Sequence, residues 1–308
     1  MDFAAIVAEI AEEIAPFRGQ GRVANYIPAL GAADPHKFGI AVATRDGDVF
    51  SAGDADERFS IQSISKVFTF TLALDLLGES LWRRIGREPS GSAFNSLVQL
   101  EQEAGIPRNP LINAGAIVVT DTIVRQFGRD NAVNAILSFV RQRARSDAIA
   151  IDREIARSEA ETGFRNAALG NFLKSFKNLE NPVEDVLDVY FNQCAISASC
   201  SELATSMLYL ANSGKDPLSG DQVVSRADAR RINAVMLTCG HYDASGDFAY
   251  RVGLPAKSGV AGGIVATVPS HLAVAVWSPG LSPQGNSLVG TLALEKFSAK
   301  TGLSVFRA

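Results

Sequence analysis

Apolar side chains at Phe3, Ile6, Val7, Ile10 and Ile14 recur at helical spacing, so the chain is expected to open with an amphipathic helix ending at Pro16. The period then changes. Phe38 to Thr44 is a short continuous apolar run, followed by Arg45-Asp46-Gly47-Asp48 and then Val49-Phe50. Asp-Gly between apolar runs predicts a hairpin, because both turn positions tolerate positive φ. From Ser63 to Leu77 the chain is apolar on nearly every side until Gly78, the pattern of a helix buried all round. Helical patterns continue over about 130–144, 152–162, 165–178, 182–194, 199–212 and 225–238, with Ser199 and Glu202 spaced as a capping box. The strand signal returns over 259–268 and, past Pro269-Ser270-His271, over Leu272 to Trp277. Residues 286–301 read as a closing helix.

A lone two-stranded ribbon is marginal in water, so the two hairpins are expected to join into one antiparallel sheet. The terminal helices would then cover one face, and the long helical stretch would form an inserted lobe with a cleft between lobe and sheet. The expected class is α/β (α+β). Its sheet part is expected over about 1–60 plus 240–308, and its helical part over about 61–239.

Composition removes several alternatives. Of 308 residues 47% are apolar and 20% charged, with 29 basic against 33 acidic side chains and a net charge of −4. Such a surface does not hold nucleic acid or an anionic membrane by general electrostatics. Ser258 to Leu294 contains no charged residue, but Pro269, Pro279, Pro283 and several glycines break it well short of the ~20 residues a spanning helix needs. Three cysteines (Cys194, Cys200, Cys239) without a C-x-x-C pair, and only three histidines, offer neither a disulfide framework nor a zinc site. No metal or cofactor is expected. The N-terminus lacks a basic export segment, and the expected location is the cytoplasm.

The chemistry is concentrated in two short motifs. In Gln62-Ser63-Ile64-Ser65-Lys66, Ser63 and Lys66 are three apart at the start of the apolar helix. On a helix they share a face, so a lysine held neutral by burial could take the serine proton. One S-x-x-K match arises by chance in a chain this long, but Lys257-Ser258-Gly259 is a much rarer companion, and the two together mark penicillin-interacting serine enzymes. Gly259 would let a strand edge approach a substrate, and the backbone amides of Ser63 and Val260 could together stabilise an oxyanion. The third element of that pattern, S-D-N, is absent. Tyr190-Phe191-Asn192 is a loose stand-in, and from its own position Tyr190 reads as a half-buried helix tyrosine.

Further blocks carry a resemblance. They are Asn25-Tyr26-Ile27-Pro28, Arg87-Glu88-Pro89-Ser90-Gly91 with Phe94-Asn95, Asn109 to Ile117, Gly240-His241-Tyr242-Asp243 and Gly253 to Gly263. With the motifs above, in this order over residues 22–295, the chain resembles the serine-dependent glutaminases of the short bacterial type. The resemblance implies a β-lactamase/DD-peptidase-like fold and hydrolysis of L-glutamine to glutamate and ammonia through a serine acyl-enzyme. It implies Ser63 as nucleophile, Lys66 as base and Tyr242 as proton relay, with Gln62, Lys257, Ser258 and Gly259 supporting. It also implies substrate contacts from Tyr26, Ser63, Asn113, Glu159, Asn166, Tyr190, Tyr242 and Val260, and a homo-oligomer, dimer or tetramer. Glu159 suits the ammonium of the substrate zwitterion, although from spacing alone it reads as a solvated helix end, with Gly163 expected to separate it from Asn166. Ser92-Ala93 stands where several animal members carry a basic residue, and their N-terminal extension and C-terminal repeats have no counterpart. Phosphate activation and filament formation are therefore not carried over.

Three rival readings compete. A β-lactamase or peptidase would use the same motif pair. A cysteine amidase could use Cys239 and His241, which share a face if they lie on a strand. A catalytically inactive binding module could keep the same fold.

Overall fold

The two hairpins form and merge. The computed structural model describes residues 1–306. Helix α1 (Phe3–Glu13) is capped by Asp2, whose carboxylate accepts from the Ala5 amide at 3.0 Å. It leads to strands β1 (Gly39–Thr44), β2 (Val49–Gly53) and the short β3 (Phe59–Ser60). The inserted segment follows with α2 (Ser65–Leu77), α3 (Leu97–Gln102), α4 (Asn113–Phe127), α5 (Arg129–Ala144), β4 (Ala150–Ile151), α6 (Arg153–Thr162), α7 (Phe164–Ser175), α8 (Val183–Cys194), β5 (Ile196–Ala198), α9 (Cys200–Ser206), α10 (Leu208–Ala211) and α11 (Arg226–Cys239). The chain returns through α12 (Ser245–Arg251), β6 (Ala256–Ser258), β7 (Gly263–Val268) and β8 (Leu272–Trp277), and closes with α13 (Leu288–Thr301).

The main sheet has the order β2-β1-β8-β7-β6. Its seam is the antiparallel β1–β8 pair, with Gly39 opposite Trp277 and Thr44 opposite Leu272. Side chains alternate across the pleat, so each strand feeds two cores. Ile40, Val42, Ile264, Val274 and Val276 face α1 and α13. Ala41, Ala43, Val265, Ala273 and Ala275 face the inserted helices. Burial on both faces explains why these strands show no polar alternation, and why the charge-free stretch is sheet rather than a membrane span. Among the described residues no helix is long and apolar enough to cross a membrane.

Several elements differ from the sequence expectation. The strand expected over 259–268 begins only at Gly263, as β7; residues 259–262 are the turn that joins it to a separate edge strand, β6, which carries Lys257 and Ser258. The segment expected over 199–212 divides at Met207 into α9 and α10, although the Ser199–Glu202 capping box is present. Helix α4 is absent from the periodicity because residues 113–124 are buried on every side, leaving no polar stripe to mark it. The inserted segment also carries two short strands, β4 and β5, which form a second small sheet with β3 in the order β3-β5-β4.

Candidate active site

Between β3 and α2 the chain makes one 3-10 turn, Gln62–Ile64. Gln62 enters it with φ at +48°, a left-handed conformation that costs a non-glycine residue about 1–3 kcal/mol and persists only where its surroundings hold it. They do so here. The Gln62 amide donates to Ser60 Oγ at 3.0 Å, and Ser60 Oγ donates to the Cys194 carbonyl at 2.9 Å. The kink leaves Ser63 8% exposed at the seam between sheet and inserted helices, with Lys66 fully buried one turn on.

Lys66 Nζ donates to Asn113 Oδ1 at 2.7 Å and to the Leu111 carbonyl at 3.4 Å. Its hydrogen bonds are to α4 and the loop before it rather than to Ser63. Burial pushes its pKa down to about 8, against the pull of Cys194 and Glu159. Lys257 is equally buried, and burial, then repulsion from Lys66, holds it well below the ordinary lysine range.

Tyr242 is the second left-handed residue of the site, with φ at +58°. Its ring lies 4.3 Å from Lys257 Nζ and packs on Phe94, and its hydroxyl donates to the Ser258 carbonyl at 3.4 Å. Burial raises the phenol to about 12, although hydrogen bonding to Ser63 and Ser258 pulls the other way. At neutral pH it is a protonated hydroxyl beside the Ser63 oxygen. Ser258 Oγ donates to Asn286 Oδ1 at 2.6 Å, and the Asn286 amide reaches the His241 carbonyl at 3.3 Å, which ties the edge strand to the Tyr242 turn.

The turn after β6 runs against the Ser63 turn. A Cβ on Gly259 would lie 2.6 Å from the Ile61 carbonyl oxygen and 3.5 Å from the Ser63 nitrogen, so only glycine permits this approach. The amides of Ser63 and Val260 donate to no acceptor among the described residues. Two unpaired donors beside a hydroxyl suit a tetrahedral oxyanion. Gly259→Ala is therefore expected to lower kcat by about tenfold to a hundredfold with a smaller change in KM, since it moves a donor rather than a binding group. Steady-state kinetics with a melting curve check this, and an unchanged kcat refutes it.

In front of Ser63 lies a cavity of about 100 Å³, lined by Tyr26, Gln62, Ser63, Asn113, Glu159, Asn166, Tyr190 and Val260 among others. Every residue assigned to substrate contact except Tyr242 thus lines one space, and neither Tyr242 nor Lys66 is part of that lining. Asn113 Nδ2 donates to Asn166 Oδ1 at 2.9 Å, linking Lys66 to α7. Glu159 is buried rather than solvated, and burial lifts its carboxyl to about 7 against a Gln62 hydrogen bond and the Lys66 charge. Tyr190 is 2% exposed, deeper than a half-buried helix tyrosine. Asn192 belongs to a different network, with its amide donating to the Asp188 carbonyl within α8.

The cysteine alternative fails on geometry. Cys239 ends helix α11, with Thr238 Oγ1 at 3.3 Å from its sulfur, and the His241 ring stacks on Phe248. The two do not share a strand face. No cluster of metal-binding side chains occurs among the described residues. Ser60 and Asn286 were not singled out from the sequence. Their parts depend on partners more than 25 positions away, Cys194 and Ser258, so no local signal marks them.

Comparison with known proteins gives a consistent result. The family model described as glutaminase matches residues 21–306. A glutaminase of Rhizobium etli is 58% identical over 305 residues, covering 99% of this chain and 99% of its own. One of Agrobacterium fabrum is 58% identical over 307 residues, covering 100% and 99%. Among solved structures, the probable glutaminase ybaS superposes with a TM-score of 0.93 at 37% identity, covering 99% of both chains. A probable glutaminase from Bacillus subtilis complexed with 6-diazo-5-oxo-L-norleucine superposes with a TM-score of 0.90 at 35% identity, covering 99% of this chain and 98% of that one.

Proposed function

This chain belongs to the glutaminase family, an amidohydrolase converting L-glutamine to L-glutamate and ammonia, and from that premise we propose a route through a γ-glutamyl ester on Ser63. The observation that carries it is the placement of the Ser63 hydroxyl against Tyr242, on the wall of a cavity that also holds a buried carboxylate.

Ser63 Oγ attacks the side-chain amide carbon, and its proton passes to neutral Lys66. Two positions on that nitrogen are taken by Asn113 and Leu111, which leaves room for one proton. The Ser63 and Val260 amides hold the oxyanion. Tyr242 delivers a proton to the departing nitrogen and recovers one from the Lys66 ammonium, so that ammonia leaves and the amine is neutral again as the ester forms. Water, deprotonated by the same amine, then cleaves the ester to glutamate and restores the serine. Gln62, Lys257, Ser258 and Gly259 keep these groups in place. Tyr26, Asn113, Asn166 and Tyr190 surround the amino-acid head. Ammonia release from L-glutamine, with L-asparagine as control, tests the reaction. A quenched mass spectrum showing the glutamyl adduct on the Ser63 peptide tests the intermediate.

The substrate ammonium is assigned to Glu159. Removing one member of a buried charge pair costs about 2–5 kcal/mol, so Glu159→Gln is expected to cut kcat/KM on glutamine at least about tenfold. The loss should be much smaller on glutaramic acid, which lacks the α-amino group. Equal losses on both substrates would mean that Glu159 serves the fold instead.

The same proposal includes a division of labour between the segment 61–239, which supplies the nucleophile and most of the head-group side chains, and the flanking segments, which supply Tyr26, Tyr242 and the edge strand. It includes a homo-oligomer, supported by outward-facing Phe164 and Tyr250, 80% and 91% exposed. It also includes a reducing, cytoplasmic setting, which suits three buried free thiols.

A further inference from the structure

Arg165 lines the same cavity as Glu159. Its guanidinium makes no hydrogen bond or ion pair with any described residue. That sets it apart from Arg84 and Arg143, which bond Asp121 and Asp216 respectively. Glu159 and Arg165 are six positions apart. On one continuous helix of 3.6 residues per turn they would point about 120° apart, away from a common space. The helix is interrupted between them. A Cβ on Gly163 would lie 2.5 Å from Phe191 Cζ and 2.7 Å from the Glu159 carbonyl oxygen, so this glycine lets α6 end and α7 restart hard against α8. The restart brings Arg165 to the cavity that Glu159 already faces.

Glutamine carries two opposite charges on its α-carbon, and the wall carries two opposite charges to meet them. Lys66 and Lys257 are buried behind Ser63, at the reacting end, and both have depressed pKa values. Among the residues lining the cavity, Arg165 is the cation. A guanidinium keeps its charge at any working pH and matches a carboxylate with two parallel hydrogen bonds.

We propose that Arg165 binds the α-carboxylate of the amino-acid substrate and so sets the preference for free glutamine over compounds whose α-carboxyl is amidated. The inference rests on the glutaminase reading above and adds a specificity residue to it. Because Arg165 is exposed, one charge-assisted contact there is expected to contribute about a factor of ten, equivalent to ~1.4 kcal/mol.

The test is steady-state kinetics of wild type, Arg165→Gln and Arg165→Lys on L-glutamine and on L-glutamine α-amide, at low and high ionic strength. Arg165→Gln should raise KM for glutamine about tenfold with kcat within about twofold, and Arg165→Lys should recover part of the loss. KM for the α-amide should stay the same in all three. Salt should raise the wild-type KM for glutamine and leave that of Arg165→Gln nearly flat, since the attraction it screens is gone. An unchanged KM for glutamine in Arg165→Gln overturns the inference, and so does an equal rise on both substrates, which would mark a structural role. Wild type that releases no ammonia from glutamine would instead sink the underlying reaction.

Discussion

Ser63→Ala is expected to reduce ammonia release from glutamine by roughly a thousandfold or more, the scale seen when an enzyme loses its covalent nucleophile. The deletion removes one oxygen from a side chain at the edge of the cavity, and the strained turn is held by its neighbours. Gln62 is fixed through Ser60 to Cys194, and Gly259 packs against Ile61. Circular dichroism and the melting temperature should therefore match wild type. Glutamine should still bind, detectable by calorimetry or as thermal stabilisation. Activity within a few-fold of wild type would exclude the serine route and leave a water attacking directly as the alternative.

Lys66→Arg is expected to be nearly as inactive. With its pKa near 8, Lys66 is neutral in roughly one molecule in ten at pH 7 and in most molecules above pH 9. A guanidinium cannot give up its proton in that range. Lys66→Ala should be equally poor, which separates loss of a base from loss of a positive charge. The sign of the pH effect follows from two groups. The Glu159 carboxyl ionises as pH rises through about 7, completing the ammonium site, and Lys66 loses its proton through about 8. Both changes favour catalysis in the same direction. The rate should climb across this window to an alkaline plateau, with apparent steps that belong to the coupled set rather than to either residue alone. In Glu159→Gln the lower step should vanish and the upper one persist. An arginine variant with a substantial rate would make Lys66 an electrostatic anchor. Tyr242, with its phenol near 12, would then need another route to act as base.

Much of this was legible along the chain, for identifiable reasons. The hairpins announce themselves through Asp46-Gly47 and Pro269-Ser270-His271, and Ser63, Lys66 and Lys257 through short spacings that a helix start and a strand impose. What the sequence hid is tertiary in origin. Helix α4 is enclosed on all sides, so no stripe betrays it, yet it supplies Asn113 to Lys66. Glu159 sits among polar neighbours that suit a solvated helix, and only the packing of α6 against α8 buries it. Arg165 is one charge among many until the break at Gly163 gives it a direction.

The β1–β8 seam has a consequence for how the protein is made. Gly39 must wait for Trp277 before the centre of the sheet can close. At a translation rate of ~5–20 residues per second that wait is roughly ten to fifty seconds. Throughout it the apolar run Gly39–Thr44 has β2 as its only partner strand, while the insertion that will carry the nucleophile can already collapse through contacts nearer in sequence. The newborn chain is thus a folded helical body trailing an unfinished, sticky ribbon. Synthesis speed and chaperone supply, more than final stability, would then govern the yield of active enzyme.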